Sequence, residues 1–247
     1  MLTAIVLTKN EESKIARCLD YLWFCDEIIV CDDCSTDATR IVAKKYPNVK
    51  VLVHSLRGDF AQQRNFALSY ASHKWVLFVD ADEVVSNELA KEISNVLPKT
   101  KKDAFYIHRS DYFLGKQLKY GESGNNKIIR LAKKGSGLWQ RKVHEVWQVQ
   151  GSIGELKSPL WHYPHDNLFL FIDSINFYAK MHAFENYYAG KRSSLALIIF
   201  APIFKFMQNY IFRLGFLDGA HGMVSALMLS FHSFLAWSNL WVLQKKK

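Results

Sequence analysis

The sequence predicts an α/β fold, with a Rossmann-like, mostly parallel sheet in residues 1–160 and a helical, aromatic-rich extension in residues 161–247. Short apolar runs return about every two dozen residues through the first hundred positions, separated by segments of helical spacing. The runs are continuous rather than alternating (EIIV, WVLFV), as in strands covered on both faces. From Asp166 onward the spacing turns helical and aromatic residues accumulate.

Leu2–Thr8 reads as the first strand, and residues 12–24 follow with helical spacing of Ile15, Leu19, Leu22 and Trp23. Glu27–Asp32 is a second strand, residues 36–46 a helix ended by Pro47, and 49–54 a third strand. Residues 60–71 form a helix and 75–79 a fourth strand. A helix over 86–97 has Ser86 placed to cap it and Pro98 to close it. Strands and helices in this alternation imply right-handed βαβ units. After Pro98, residues 104–108 and 127–131 read as strands, joined by a polar loop with Gly115, Gly121 and Gly124.

Apolar residues make up 49% of the chain and charged ones 22%, a composition that buries a core rather than staying disordered. All four cysteines lie within the first 34 positions, too clustered for a disulfide framework. Cys31 and Cys34 have C-x-x-C spacing but no second pair of ligand spacing, so ordinary reduced thiols are expected. No charged-then-apolar leader opens the sequence, and cytoplasmic residence is the expectation.

The net charge of +9 is uneven: residues 1–98 hold 11 Lys/Arg against 14 Asp/Glu, whereas 99–157 hold 13 against 5. No helix-turn-helix, zinc-finger or RNP pattern accompanies the basic segment, which argues against nucleic acid. It borders the most apolar part of the chain, so an anionic acceptor or anionic lipid surface is the expected partner. Residues 222–244 carry no Asp, Glu, Lys or Arg, enough to span a bilayer. Yet Ser225, His232 and Asn239 form a polar stripe, and the run over 195–206 is broken by Pro202 and Lys205. A half-buried helix, or one lying in the interface so that the protein is peripheral on the inner face of the plasma membrane, fits better than a span, with Trp237 and Trp241 as anchors in the interfacial case.

Ligands of parallel α/β sheets bind beyond the carboxyl ends of the strands. There the sequence places Thr8-Lys9-Asn10-Glu11, Asp32-Asp33 and Asp80-Ala81-Asp82-Glu83. Neither G-x-G-x-x-G nor a P-loop is present, so another device must neutralise any phosphate. Asp80 and Asp82, two apart on extended backbone, can face one divalent ion, Mg²⁺ or Mn²⁺, which would stabilise a departing diphosphate. Asp33 suits a base or ribose contact, or equally a helix cap with Ser35, Thr36 and Asp37. Arg64 reaches either a phosphate or solvent. Glu145 is a general-base candidate or a surface partner of Arg141 or Lys142. His162 and His165 flank Pro164 as ligand or structural histidines, and Trp139, Trp147 and Trp161 could stack on sugars or pack in a core.

The segments TAIVLTKNEE, IIVCDDCSTDAT, RGDFAQQRNFAL, VLFVDADE and VHE together resemble family 2 glycosyltransferases of the GT-A fold. The chain is further similar to bacterial lipopolysaccharide-core β-1,4-glucosyltransferases, including the closing RLGFLDGAHGMVSALMLSFHSFLAWSNLW. The resemblance implies that Thr8, Glu11, Asp32, Asp33, Arg64 and Asp80 line the site of a UDP-sugar donor. It implies that Asp80 and Asp82 form the metal motif, with Asp82 the direct ligand; His162, on its residue type alone, is the preferred candidate to complete the coordination. It implies that Glu145 is the base of an inverting transfer, with glucose the favoured sugar and a lipid-linked glycan such as the lipopolysaccharide inner core the acceptor. Cys34 departs from the family, which more often has glycine there. A nucleotidyltransferase and a non-catalytic nucleotide-sugar-binding module are the rival readings.

Overall fold

The computed structural model describes residues 1–124, 126–142, 145–165 (His165 by its backbone alone) and 167–245. Val143 and His144 of the Val-His-Glu triplet, and Asp166, lie outside the described residues. The chain divides into two compact units: Met1–Arg109 with Lys127–His162, and Ser110–Asn126 with Tyr163–Lys247.

In the first unit, β1 (Leu2–Thr8), β2 (Glu27–Asp32), β3 (Val49–Val53) and β4 (Trp75–Asp80) are parallel, in the order β3-β2-β1-β4. Every residue of β1 is buried. The period of two along each strand sorts the core into two faces. Ala4, Val6, Val30, Leu77 and Val79 pack with Ile15 and Leu19 of α1 (Ile15–Asp20) and Leu89 and Ile93 of α4 (Asn87–Val96). Ile5, Leu7, Ile29, Val76 and Phe78 pack with Ala67 and Leu68 of α3 (Phe60–Tyr70). The Ser86 side chain caps α4, accepting from the Leu89 amide at 3.1 Å. Between β2 and β3 runs the short α2 (Thr39–Ala43). Strand order reverses beside β1, and this topological switch point is where an open α/β sheet offers a crevice.

Short β5 (Glu83–Val85) is followed by β6 (Ala104–Phe113), β7 (Lys116–Gln117), β8 (Asn126–Lys133), β9 (Gly137–Gln140), β10 (Val146–Val149) and β11 (Ile153–His165). The sheet continues β4-β8-β6-β11-β5, with β8 antiparallel to β4 and β11 antiparallel to β5. β9 and β10 pair as a separate antiparallel hairpin. Its Trp139 and Trp147 stack 5.5 Å apart, and both meet the edge of Phe78.

The second unit is built on α5 (Leu168–Tyr188), α6 (Leu195–Met207) and α7 (Ala220–Lys245), with α5 and α6 both packed on α7. Asn167 and Ser194 cap α5 and α6. The run expected to break at Pro202 stays helical and continues through a π-helical turn (Gln208–Phe212). α7 lies alongside, and the Ser230 hydroxyl donates to the Pro202 carbonyl at 2.8 Å. A short turn (Gly215–Asp218) leads into α7. A Cβ on Gly222 would collide with the Gly215 carbonyl, so glycine is required where α7 crosses that turn.

Candidate active site

Strand register lines up the carboxyl ends of three parallel strands: Thr8 lies opposite Asp32, and Leu7 opposite Asp80. The chain leaves β2 and β4 tied to β1, since the Asp33 amide donates to the Thr8 carbonyl at 2.9 Å and the Ala81 amide to the Leu7 carbonyl at 3.2 Å.

Thr8, Asp32 and Asp33 are buried. Asp32 Oδ2 accepts from the Ser35 amide at 2.9 Å and lies 3.7 Å from Arg40 Nε. Among the described residues, Asp32 Oδ1 and Thr8 Oγ1 are buried without a hydrogen-bond partner. Buried polar atoms in that condition are uncommon and point to a missing partner. Asp33 accepts from Lys9 Nζ and from the Leu56 amide, both at 2.7 Å, and so fixes the loop beyond β3. Each of its oxygens retains a second lone pair. The Glu11 amide donates to Thr39 Oγ1 at 2.8 Å, and its carboxylate sits 3.5 Å from Lys14 Nζ. Between these groups Cys34 is exposed with φ +53°, a left-handed conformation that glycine adopts without strain. The other three cysteines are buried thiols, and burial pushes Cys31 up to about 12.

A second group gathers around Arg64 of α3, which is only 3% exposed. Its Nε donates to Glu145 Oε1 and its Nη2 to Asp80 Oδ1, both at 2.9 Å. The guanidinium lies 4.6 Å from the Trp139 ring and 5.7 Å from that of Phe78. Glu145 stands just before β10, and α3 secures that hairpin. Asn65 exchanges two 2.9 Å hydrogen bonds with the Trp139 backbone, and the Phe60 amide donates to the Lys142 carbonyl. Asp80 Oδ2 accepts from Arg130 Nη2 at 2.6 Å, and Arg130 also lies 3.6 Å from buried Glu83. Burial opposes the charge on Asp80, but Arg130 and then Arg64 outweigh it and hold the carboxyl far below its usual range. Glu83 moves the other way, raised chiefly by burial.

Asp80 and Asp82 therefore do not turn to a common partner, as their spacing suggested. Asp80 faces the arginines, whereas Asp82 Oδ2 lies 3.5 Å from His162 Nε2. The β5–β11 pairing sets His162 opposite Glu83, which brings the imidazole beside Asp82. Burial raises Asp82, but His162 more than compensates and its carboxyl ends below the ordinary value. Metal–ligand bonds of about 2.1 Å put neighbouring ligands about 3 Å apart, so this oxygen–nitrogen pair, at 3.5 Å, would have to close by about half an ångström to share one Mg²⁺ or Mn²⁺ ion. Among the described residues no cluster of three or more His, Cys, Asp or Glu could form a full cage. Two protein ligands suit an ion whose other positions go to phosphate oxygens and water.

Arg130 is the member of this network that sequence reading missed, because it sits in a strand without any motif; Glu83 is placed by the sequence at the strand exit with Asp80 and Asp82 but given no role. Trp139 and Trp147 are buried in the core, as tryptophans usually are. A cavity of ≈360 Å³ lined by Leu2, Phe24, Trp75 and Leu97 opens at the other end of the strands, away from these groups.

Residues 3–149 match the family model for glycosyl transferase family 2. The lipopolysaccharide core biosynthesis glycosyltransferase LpsC of Rhizobium meliloti is 27% identical over 253 residues, covering 97% of this chain and 92% of that protein. An uncharacterized glycosyltransferase of Rickettsia typhi is 29% identical over 253 residues, covering 97% and 86%. Among solved structures, residues 1–349 of S. aureus TarS in complex with UDP-GlcNAc superpose with a TM-score of 0.53 at 17% identity, covering 99% of this chain and 90% of that one. That likeness establishes a common fold, the GT-A arrangement of a mostly parallel sheet. With residues 3–149, more than half its length, matched to that family model, the chain belongs to glycosyltransferase family 2 and is a glycosyltransferase.

Proposed function

We propose that this glycosyltransferase moves a sugar, glucose in the favoured reading, from a UDP-sugar to a lipopolysaccharide inner-core or other lipid-linked glycan, with inversion, at the cytoplasmic face of the membrane. The observation that carries the reading is the chain Glu145–Arg64–Asp80 beside the Asp82–His162 pair, at the carboxyl ends of β1 and β4. The name of the relative LpsC supports the acceptor.

In this reading Thr8, Glu11, Asp32 and Asp33 receive the nucleotide, and the unsatisfied Thr8 Oγ1 and Asp32 Oδ1 gain their partners from it. Asp82 and His162 would hold Mg²⁺ or Mn²⁺. When bound, the ion neutralises charge on the departing diphosphate. Asp80, braced by Arg64 and Arg130, serves the donor side of the site. Glu145 Oε1 is fixed by Arg64, which leaves Oε2 for the acceptor hydroxyl among the described residues. As the acceptor oxygen bonds to the anomeric carbon, its proton passes to Glu145, and the bond from that carbon to the diphosphate oxygen breaks to release UDP. One in-line displacement inverts the anomeric configuration.

UDP release from UDP-glucose, measured with membrane-extracted acceptor, tests the donor and the metal together. Release should need Mg²⁺ or Mn²⁺, stop in chelator, and fall about a hundredfold or more in Asp82→Asn. Equal release by Asp82→Asn with and without chelator would remove the metal from the mechanism.

A further inference from the structure

The second unit leaves an unusual amount of apolar surface uncovered. On α6 and the π-helical turn after it, Leu195, Phe200, Ile203, Phe204 and Phe212 are 55–70% exposed. The 18 residues Leu195–Phe212 have a mean hydropathy of 1.6 and only 6% of them are buried. α7 is similarly apolar, at 1.3 with 17% buried. A helix apolar around most of its circumference is at home in a protein core or in lipid, and α6 has no core on its outer side.

The two helices form an antiparallel hairpin. The Ser193 hydroxyl donates to the Trp237 carbonyl at 2.8 Å, and Gln244 Nε2 to the Lys191 carbonyl at 3.3 Å. One end of the hairpin therefore gathers Lys191, Arg192 and Lys245, the last stacked 3.8 Å over Trp241. Residues 186–217 contain four Lys/Arg and no Asp or Glu. Lys191 and Arg192 are exposed. Cationic, aromatic-flanked ends around an apolar stretch complement an anionic lipid surface.

The far end decides between spanning and lying flat. There a polar segment grips the turn: the Asp218 carboxylate accepts the Lys119 and Tyr120 amides, and Lys116 Nζ donates to the Asp218 carbonyl at 2.9 Å. Lys205 pairs with Glu122 at 2.7 Å, and the Gly121 amide donates to the Arg213 carbonyl at 2.9 Å. A spanning hairpin would carry this charged segment through the hydrocarbon, where each desolvated charge is strongly unfavourable. We infer that the α6–α7 hairpin lies in the plane of an anionic phospholipid leaflet, with the outer face of α6 in the acyl boundary and its basic ends among the headgroups. This goes beyond the proposed reaction and stands on different residues.

Flotation of the full chain with vesicles of phosphatidylcholine alone, or mixed with phosphatidylglycerol, tests it. The parent should float with the anionic vesicles and be released by salt. Phe200→Glu/Phe204→Glu should lower partitioning about tenfold or more while the helical circular dichroism is unchanged, since both side chains point outward. Lys191→Glu/Arg192→Glu should lose the preference for anionic lipid. Lys119→Cys in a Cys34→Ser background should react with a membrane-impermeant maleimide on vesicle-bound protein as it does in solution. Protection of that site would mean a span, and failure of the parent to float, with an oligomer that Phe200→Glu/Phe204→Glu dissolves, would mean a second copy covers the face. Either result overturns the inference, and neither touches the assignment of Glu145 or Asp82.

Discussion

Arg64 bridges the two halves of the site, and its geometry shows why a lysine could not replace it. The planar fork reaches Glu145 through Nε and Asp80 through Nη2 while its face rests on Trp139. A lysine offers one point charge without the fork. Arg64→Lys should therefore lower transfer about tenfold or more through misplacement of the base, with donor KM changed less than kcat. Arg130 has a more structural task, because it faces both Asp80 and the fully buried Glu83. Without it Asp80 would keep only Arg64, and the buried Glu83 would be left with Arg109 at 3.9 Å. Cys34 stands where the resemblance leads to an expected glycine, and its backbone is one that glycine adopts freely. Its φ of +53° is a conformation that costs an L-residue about 1–2 kcal/mol.

At the scale of elements, the hairpin of β9 and β10 matters most, since it delivers Glu145. Its attachment to α3 rests on the reciprocal Asn65–Trp139 pair. Asn65→Ala should cost about 1–3 kcal/mol in urea unfolding by leaving buried backbone groups unpaired, and should lower transfer more than donor binding. Little of this hairpin was legible in the sequence, because four-residue strands carry too few positions to show a period. The parallel strands were legible: Leu2–Thr8 and Glu27–Asp32 match the expected limits, and Ser86 caps α4 as expected. A mostly apolar run of six or seven residues next to a helical segment is long enough for a strand and too short for a helix of its own. β11 was hidden because its residues Trp161, His162 and Pro164 look like a loop, yet its pairing with β5 is what brings His162 to Asp82. The apolar run of α6 is interrupted by Pro202 in the sequence, yet the helix continues through it, with Ser230 of α7 bonded to the Pro202 carbonyl.

For the molecule as a whole, the first unit's carboxylates set an acid-sensitive stability. Asp80 is held low by Arg130 and Arg64 against its burial, and Asp103 is lowered from 3.8 to about 2 by Lys133 and by the amide and hydroxyl of Ser152. In both cases the unfolded chain binds protons that the folded chain refuses, so stability is complete above the ordinary carboxylate range and is lost as pH falls toward the folded values. Glu83, raised by burial, works in the opposite sense: its contribution is present below its ordinary 4.5 and fades as pH rises through its folded value. Asp103→Asn removes one of these low carboxylates and should flatten the fall in urea midpoint between 3.8 and about 2. It should also loosen the join of β6, β8 and the turn before β11, where Asp103 bonds both Lys133 and Ser152.

The central claim is that Glu145, oriented by Arg64, takes the acceptor proton. It is tested most directly by Glu145→Gln, which keeps the shape and the hydrogen-bonding oxygen but removes the basic carboxylate. UDP should bind this variant within about twofold of the parent, while sugar transfer at saturating donor and acceptor should fall about a hundredfold or more. Transfer at the parental rate, with UDP binding equally intact, would show that the proton goes elsewhere.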